Sequence, residues 1–210
     1  MNDRPSARSR FGVMLADALG AVALMVVVLA VMWGIEVADY VLPADLDEFG
    51  IRGWDPAGLV GILFAPFLHV GFGHLMANSL PLLILGFLAA VRGMGRFLAA
   101  TVFIILIGGL GTWLTSPGVI AVGASGLIFG YFGYVVARGV FDRSLLDIVI
   151  ALGVAGVYYS MLAGVLPNQP GISWQGHLFG LIAGVLAAFL MRRRKRLPRS
   201  TTPDWTLPGA

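Results

Sequence analysis

Hydrophobic residues run along this chain in long blocks, not in the three-to-four residue rhythm of a soluble helix or the alternation of a half-buried strand. Six blocks stand out, roughly Phe11 to Ile35, His74 to Val91, Phe97 to Leu114, Ser125 to Val136, Leu145 to Leu166 and Trp174 to Met191. At about 1.5 Å per residue they match or approach the roughly 30 Å hydrocarbon core of a bilayer. The pattern predicts an all-α polytopic membrane protein, a bundle of six transmembrane helices. The first block is too long for a cleavable signal peptide, and no small-residue cleavage site follows it before an acidic loop. That loop, about 36–73, is the longest connection and leaves no room for a soluble domain. The expected organisation is an N-terminal segment 1–10, a membrane domain 11–191 and a basic tail 192–210.

Composition supports this reading. Of 210 residues, 58% are hydrophobic and 12% charged, and mean hydropathy is +0.88. Soluble domains carry about 25% charged residues, so this chain cannot clothe a water-facing surface. The absence of cysteine excludes a disulfide-stapled secreted fold.

The net charge of +3 gains meaning from where the basic residues fall. Arg4, Arg8 and Arg10 precede the first block; Arg92 and Arg96 lie between the second and third. Arg138 and Arg143 lie between the fourth and fifth, and Arg192, Arg193, Arg194, Lys195, Arg196 and Arg199 follow the sixth. Thirteen of the 14 thus share one side, and only Arg52 lies opposite. The positive-inside rule then predicts that both termini are cytoplasmic. The basic tail reads as a topology anchor that touches anionic lipid, not as a nucleic-acid site. Arginine outnumbers lysine 13 to 1 amid abundant alanine, glycine and valine. That usage suggests a GC-rich bacterial genome, and the membrane expected is then a bacterial cell membrane.

Polar residues inside a membrane are costly and are functional-site candidates by default. The only histidines are His69 and His74 around the start of the second block and His177 near the start of the sixth. Asn78 lies one turn into the second block, and Ser125 opens the fourth. The count to the first arginine on the basic side is 13 residues from Ser125, 14 from Asn78 and 15 from His177. Each span is roughly 20 to 22 Å, so three helices bring these groups to one level near the outer surface. Gly126, Gly130 and Gly133 line one face of the fourth block, and Gly176, Gly180 and Gly184 one face of the sixth. Small residues at this spacing let helices pack closely, so Ser125 and His177 are placed to meet.

A serine within reach of an imidazole is an activated nucleophile. Asp17 and Asp147 belong to the basic side and Glu36 ends the first block, so the residues favour a Ser125–His177 dyad without a carboxylate. The Ser125 N–H at a helix start, with His74 and Asn78 on one helical face, could serve an oxyanion. Three histidines without cysteine or an outer acid cluster are a poor zinc set, so neither metal nor cofactor is expected.

These residues resemble the rhomboid family of intramembrane serine proteases. Gly123-Ala124-Ser125-Gly126 matches the family's GxSG, and His177-Leu178-Phe179-Gly180, continuing to Gly184, matches its HxxG stretch. His69, then His74 to Asn78, matches HxxxxHxxxN. The resemblance implies Ser125 as nucleophile, His177 as base, His74 and Asn78 as oxyanion donors and a structural role for His69. It implies transmembrane substrates that enter laterally between the second and fifth spans, and a cap from the loop Pro167 to Gly171. Val60 and Gly61 stand where many bacterial members have a Trp-Arg pair, which leaves the architecture of the outer loop open. Phe129 replaces a tyrosine that packs on the catalytic histidine in some members. The rival readings are a catalytically dead rhomboid-like protein that binds membrane helices, and a small transporter. Oligomeric state is not legible.

Overall fold

The computed structural model describes residues 7–43, 45–91, 93–167 and 171–192. Helix α1 (Ala7–Val41) leads into an outer loop containing strand β1 (Ile51–Arg52) and a short helix α2 (Gly61–Phe64). Helices α3 (Gly71–Ala90) and α4 (Met94–Thr115) follow, then strand β2 (Ile120–Ala121), α5 (Ser125–Asp142), α6 (Leu145–Tyr158) and α7 (Trp174–Leu190). The span that α6 begins finishes as a 3-10 segment, Tyr159–Val165.

Among the described residues, four helical stretches are long and apolar enough to cross a membrane: Leu15–Val41, Gly71–Ala90, Met94–Thr115 and Leu145–Val165. Helices α5 and α7 occupy the fourth and sixth predicted blocks but are shorter and glycine-rich. Their position explains this. Helix α5 is the hub, packed against α3, α4, α6 and α7, and its closest partner is α7. Twelve of its 18 residues are buried, so packing, not lipid, is its solvent. The two helices meet backbone to backbone: a Cβ at Gly180 would run into the Gly126 carbonyl, and one at Gly184 into the Gly130 carbonyl.

One expectation fails at the other end of α5. Arg138 is not in a loop between spans. The helix continues to Asp142, and Arg138 is buried beside Asp147 of α6. Its Nε faces Asp147 Oδ1 on the neighbouring helix at 3.3 Å. The arginines at 193, 194, 196 and 199, with Lys195, lie outside the described residues, as do Arg4 and Arg92.

The outer loop is closed without the Trp-Arg pair. Strands β1 and β2 pair antiparallel, with Ile51 opposite Ala121. Trp54 Nε1 donates to the Leu114 carbonyl at 2.7 Å, and Trp113 Nε1 to that of Asp55 at 2.9 Å. Gly61, where the family's arginine would stand, abuts the Gly50 carbonyl, so no side chain fits there. Two other tryptophans thus pin the loop to the end of α4, and the glycine contact closes the loop on itself.

The loop also gathers acids that lie apart in sequence. Ligand oxygens of Asp39, Asp45 and Asp47 fall within 4.8 Å of one another. A turn brings this about, because Asp39 accepts from Leu46 N at 2.6 Å and Asp45 from Asp47 N at 3.1 Å. Burial, then the charges of Asp39 and Asp45, raise the Asp47 carboxyl above its ordinary value. The expectation that this end holds no acid cluster is therefore corrected. The Asp39 and Asp45 carboxylates act as turn and helix caps.

Candidate active site

Ser125 is the first residue of α5. The two residues before it are held by the outer loop and its following segment. Gly123 N–H donates to the Ala65 carbonyl at 2.8 Å, and Ala124 N–H to His69 Nε2 at 3.3 Å. Those amides are committed, while the Ser125 N–H, at the first position of a helix, lies outside the helical ladder. Gly123 has φ +116°, and a Cβ there would stand 2.6 Å from His74 Cε1 and 2.9 Å from His74 Nε2. Only glycine satisfies both the dihedral and the close approach.

His69 is a positioning group. Because Nε2 accepts from an N–H, the ring is neutral with its proton on Nδ1. It is 1% exposed, and its pKa falls to about 4 through burial and then the neighbouring His74 charge. The His69 and His74 rings meet edge to face at 5.1 Å.

His74 and Asn78 lie one turn apart on α3 and approach the same glycine, Asn78 Nδ2 at 3.7 Å from a Cβ on Gly123. Asn78 is 7% exposed, yet its Nδ2 has no hydrogen-bond partner. Buried donors are rarely left bare, so this one is a candidate functional group.

His177 sits one turn into α7. Its ring stacks on Phe129 of α5 with centroids 4.2 Å apart and planes 11° from parallel. The aromatic support therefore survives without a tyrosine hydroxyl. Nδ1 lies 2.9 Å from the Gly164 carbonyl. A carbonyl can only accept, so Nδ1 carries the proton and Nε2 is left unprotonated, the tautomer a general base needs. Ser125 and His177 share no hydrogen bond among the described residues, but their neighbours Gly126 and Gly176 touch, with 3.2 Å from a Cβ on Gly126 to the Gly176 carbonyl. Such hydrogen bonds are often long in unliganded sites.

Ser125 also lines a cavity, with Ile62, Ala65, Ile104, Ala121 and Gly176 in its wall. The structure thus brings Ser125, His177, His74, Asn78, His69, Gly123, Gly126, Phe129 and Gly180 to one end of the bundle, while Gly184 lies deeper, against Gly130. Sequence reasoning missed the Gly164 carbonyl, since backbone groups leave no motif; its only trace is a glycine at the end of the fifth block.

A model of the Rhomboid domain matches residues 56–194. That stretch contains every motif residue just placed. The chain belongs to the rhomboid family. An uncharacterized protein of Mycobacterium tuberculosis is 45% identical over 180 residues, 81% of this chain and 75% of that protein. One from Mycobacterium leprae is 40% identical over 181 residues, 82% and 72% respectively. A Bacillus subtilis protein named "Putative rhomboid protease YdcA" is 34% identical over 135 residues, 61% of this chain and 65% of its own. Rhomboid membership and four spanning-length apolar helices make this a multi-pass membrane protein.

Proposed function

We propose that this rhomboid is an intramembrane serine endopeptidase that cleaves transmembrane segments of membrane proteins, with Ser125 as nucleophile and His177 as base. The observation that carries the reading is the His177 tautomer: the Gly164 carbonyl holds the proton on Nδ1 and leaves Nε2 bare on the helix packed against the Ser125 helix. Ser125 Oγ attacks the scissile carbonyl while its proton passes to Nε2. The tetrahedral oxyanion takes hydrogen bonds from Ser125 N–H, His74 and the unpartnered Asn78 Nδ2. The C–N bond then breaks as Nε2 returns the proton to the leaving amine, and water releases the acyl group by the same route. The carbonyl takes the orienting place a carboxylate holds in a triad. It fixes the ring but adds no full negative charge.

In this reading six helices cross the membrane, both termini face the cytoplasm, and the site opens to the extracytoplasmic side of a bacterial cell membrane. Helices α3 and α6 barely touch, which leaves a lateral route for a substrate helix. The apolar cavity beside Ser125 suits a small apolar side chain next to the scissile bond. Residues 168–170 of the expected capping loop lie outside the described residues. The direct test is a serine-directed fluorophosphonate probe. Labelling of the wild type but not of Ser125→Ala supports the protease; no labelling of folded wild type leaves a non-catalytic rhomboid that binds helices.

Two weaker effects follow. Asn78→Ala removes one oxyanion donor and is expected to lower kcat by about 10²–10³-fold with little change in KM; unchanged turnover would take Asn78 out of the mechanism. Gly164→Ala puts a Cβ 2.8 Å from His177 Nδ1 and 3.1 Å from Phe129 Cζ. The imidazole must shift, so kcat is expected to fall about 10²-fold, the scale of a 1 Å misplacement. A wild-type rate in that variant would show that the Gly164 contact does not position the base.

A further inference from the structure

The end of the bundle away from Ser125 holds a second polar centre that catalysis does not use. Arg138 lies 13 residues beyond Ser125 on α5, about 20 Å along the helix. Its side chain is 6% exposed, and its Nε is 3.3 Å from Asp147 Oδ1. Tyr134 presents its ring face 5.6 Å from the guanidinium carbon. Neither Nη1 nor Nη2 has a hydrogen-bond partner among the described residues. The other Asp147 oxygen bonds Ser144 Oγ at the start of α6, where Ser144 caps the Asp147 N–H at 3.2 Å. The pair is thus single-pronged. Four N–H donors of a buried cation are bare, an arrangement whose desolvation cost a single long ion contact does not offset.

These donors line a cavity whose wall also includes Arg96 near the start of α4, Asp142, and Ala188 and Met191 at the end of α7. Arg96 is exposed at its rim. We propose that this cavity binds the phosphate ester group of a phospholipid from the leaflet at that end of the bundle. The planar fork of a guanidinium matches two phosphate oxygens, and a second arginine closes over a third. Basic pockets between membrane helices at headgroup level are where such groups dock. The apolar outer faces of α4 and α6 lie in the region of the acyl chains, with Leu98, Val102, Leu146 and Val149 exposed. Asp142 and Asp147 keep the cavity near neutrality, so it selects a singly charged phosphodiester over the inorganic dianion.

The test is native mass spectrometry of the full chain released from detergent micelles with phosphatidylglycerol or phosphatidylcholine added. Wild type is expected to retain one phospholipid. Arg138→Gln combined with Asp147→Asn, which leaves no buried unpaired charge, should weaken retention about 10-fold or more, the scale of a lost charge-assisted hydrogen bond. Arg96→Gln should weaken it less, and Asp142→Asn should strengthen it. Should the double variant fail to fold, the opposite directions of Arg96→Gln and Asp142→Asn decide. A parallel melt in lipid-free micelles with inorganic phosphate separates the sources: an arginine-dependent rise in Tm without lipid retention would assign the site to a free anion and overturn the lipid. Retention equal in wild type and all arginine variants would overturn the site itself.

Discussion

Ser125→Ala is expected to abolish cleavage of a model transmembrane substrate, with a fall in kcat on the order of 10⁶-fold, while the protein stays folded and still binds substrate. The size follows from chemistry. No other nucleophile reaches the substrate carbonyl, and the oxyanion donors alone give only a small residue of catalysis over water. The fold should tolerate the change, because Ser125 makes no hydrogen bond that holds α5 in place; the preceding amides are fixed by Ala65 and His69 instead. His177→Ala should be equally inactive. The two losses should not add in the double variant, since nucleophile and base act as a unit. Reconstituted enzyme in vesicles with a labelled substrate helix provides the measurement. Cleavage above background by Ser125→Ala would refute the nucleophile, and additive losses would refute the dyad.

Apolar blocks of the sequence mark the helices well because lipid demands continuous apolar surface from any helix that faces it, as α1, α3, α4 and α6 do. The interior helices α5 and α7 are legible through a different signal, their glycine stripes, and the structure seats Gly126 against Gly180 and Gly130 against Gly184. The candidate site was legible for the same reason: in a chain so poor in polar groups, His74, Asn78, Ser125 and His177 have few neighbours to hide among. What escaped the sequence depends on backbone or on partners distant in the chain. Arg138 looks like a loop arginine until Asp147 is seen beside it. The Gly164 carbonyl has no side chain to announce it. The outer loop lacks the expected Trp-Arg pair, and its closure by Trp54, Trp113 and the Gly50–Gly61 contact follows from a strand pairing two residues long.

Replacing Gly180 by valine should be the most damaging change away from the reacting groups. A Cβ at this position overlaps the Gly126 carbonyl, one residue from the nucleophile. The obstruction is backbone, so no rotamer can relieve it and α7 must back away from α5. Overpacking of a close-packed core costs typically about 1–3 kcal/mol, and a branched residue against a carbonyl belongs at or beyond the upper end. The shift would also carry His177, less than one turn earlier on α7, away from Ser125. Both thermal stability in micelles and cleavage should therefore fall together, with activity lost even below the melting temperature. Gly153→Ala is the matched control: its Cβ meets nothing within 4 Å, and alanine is the better helix former by about 1 kcal/mol, so stability should hold or rise with activity intact. A Gly180→Val enzyme that melts and cleaves like wild type would mean that α5 and α7 do not cross at Gly126 and Gly180, and the placement of His177 opposite Ser125 would fall with that crossing.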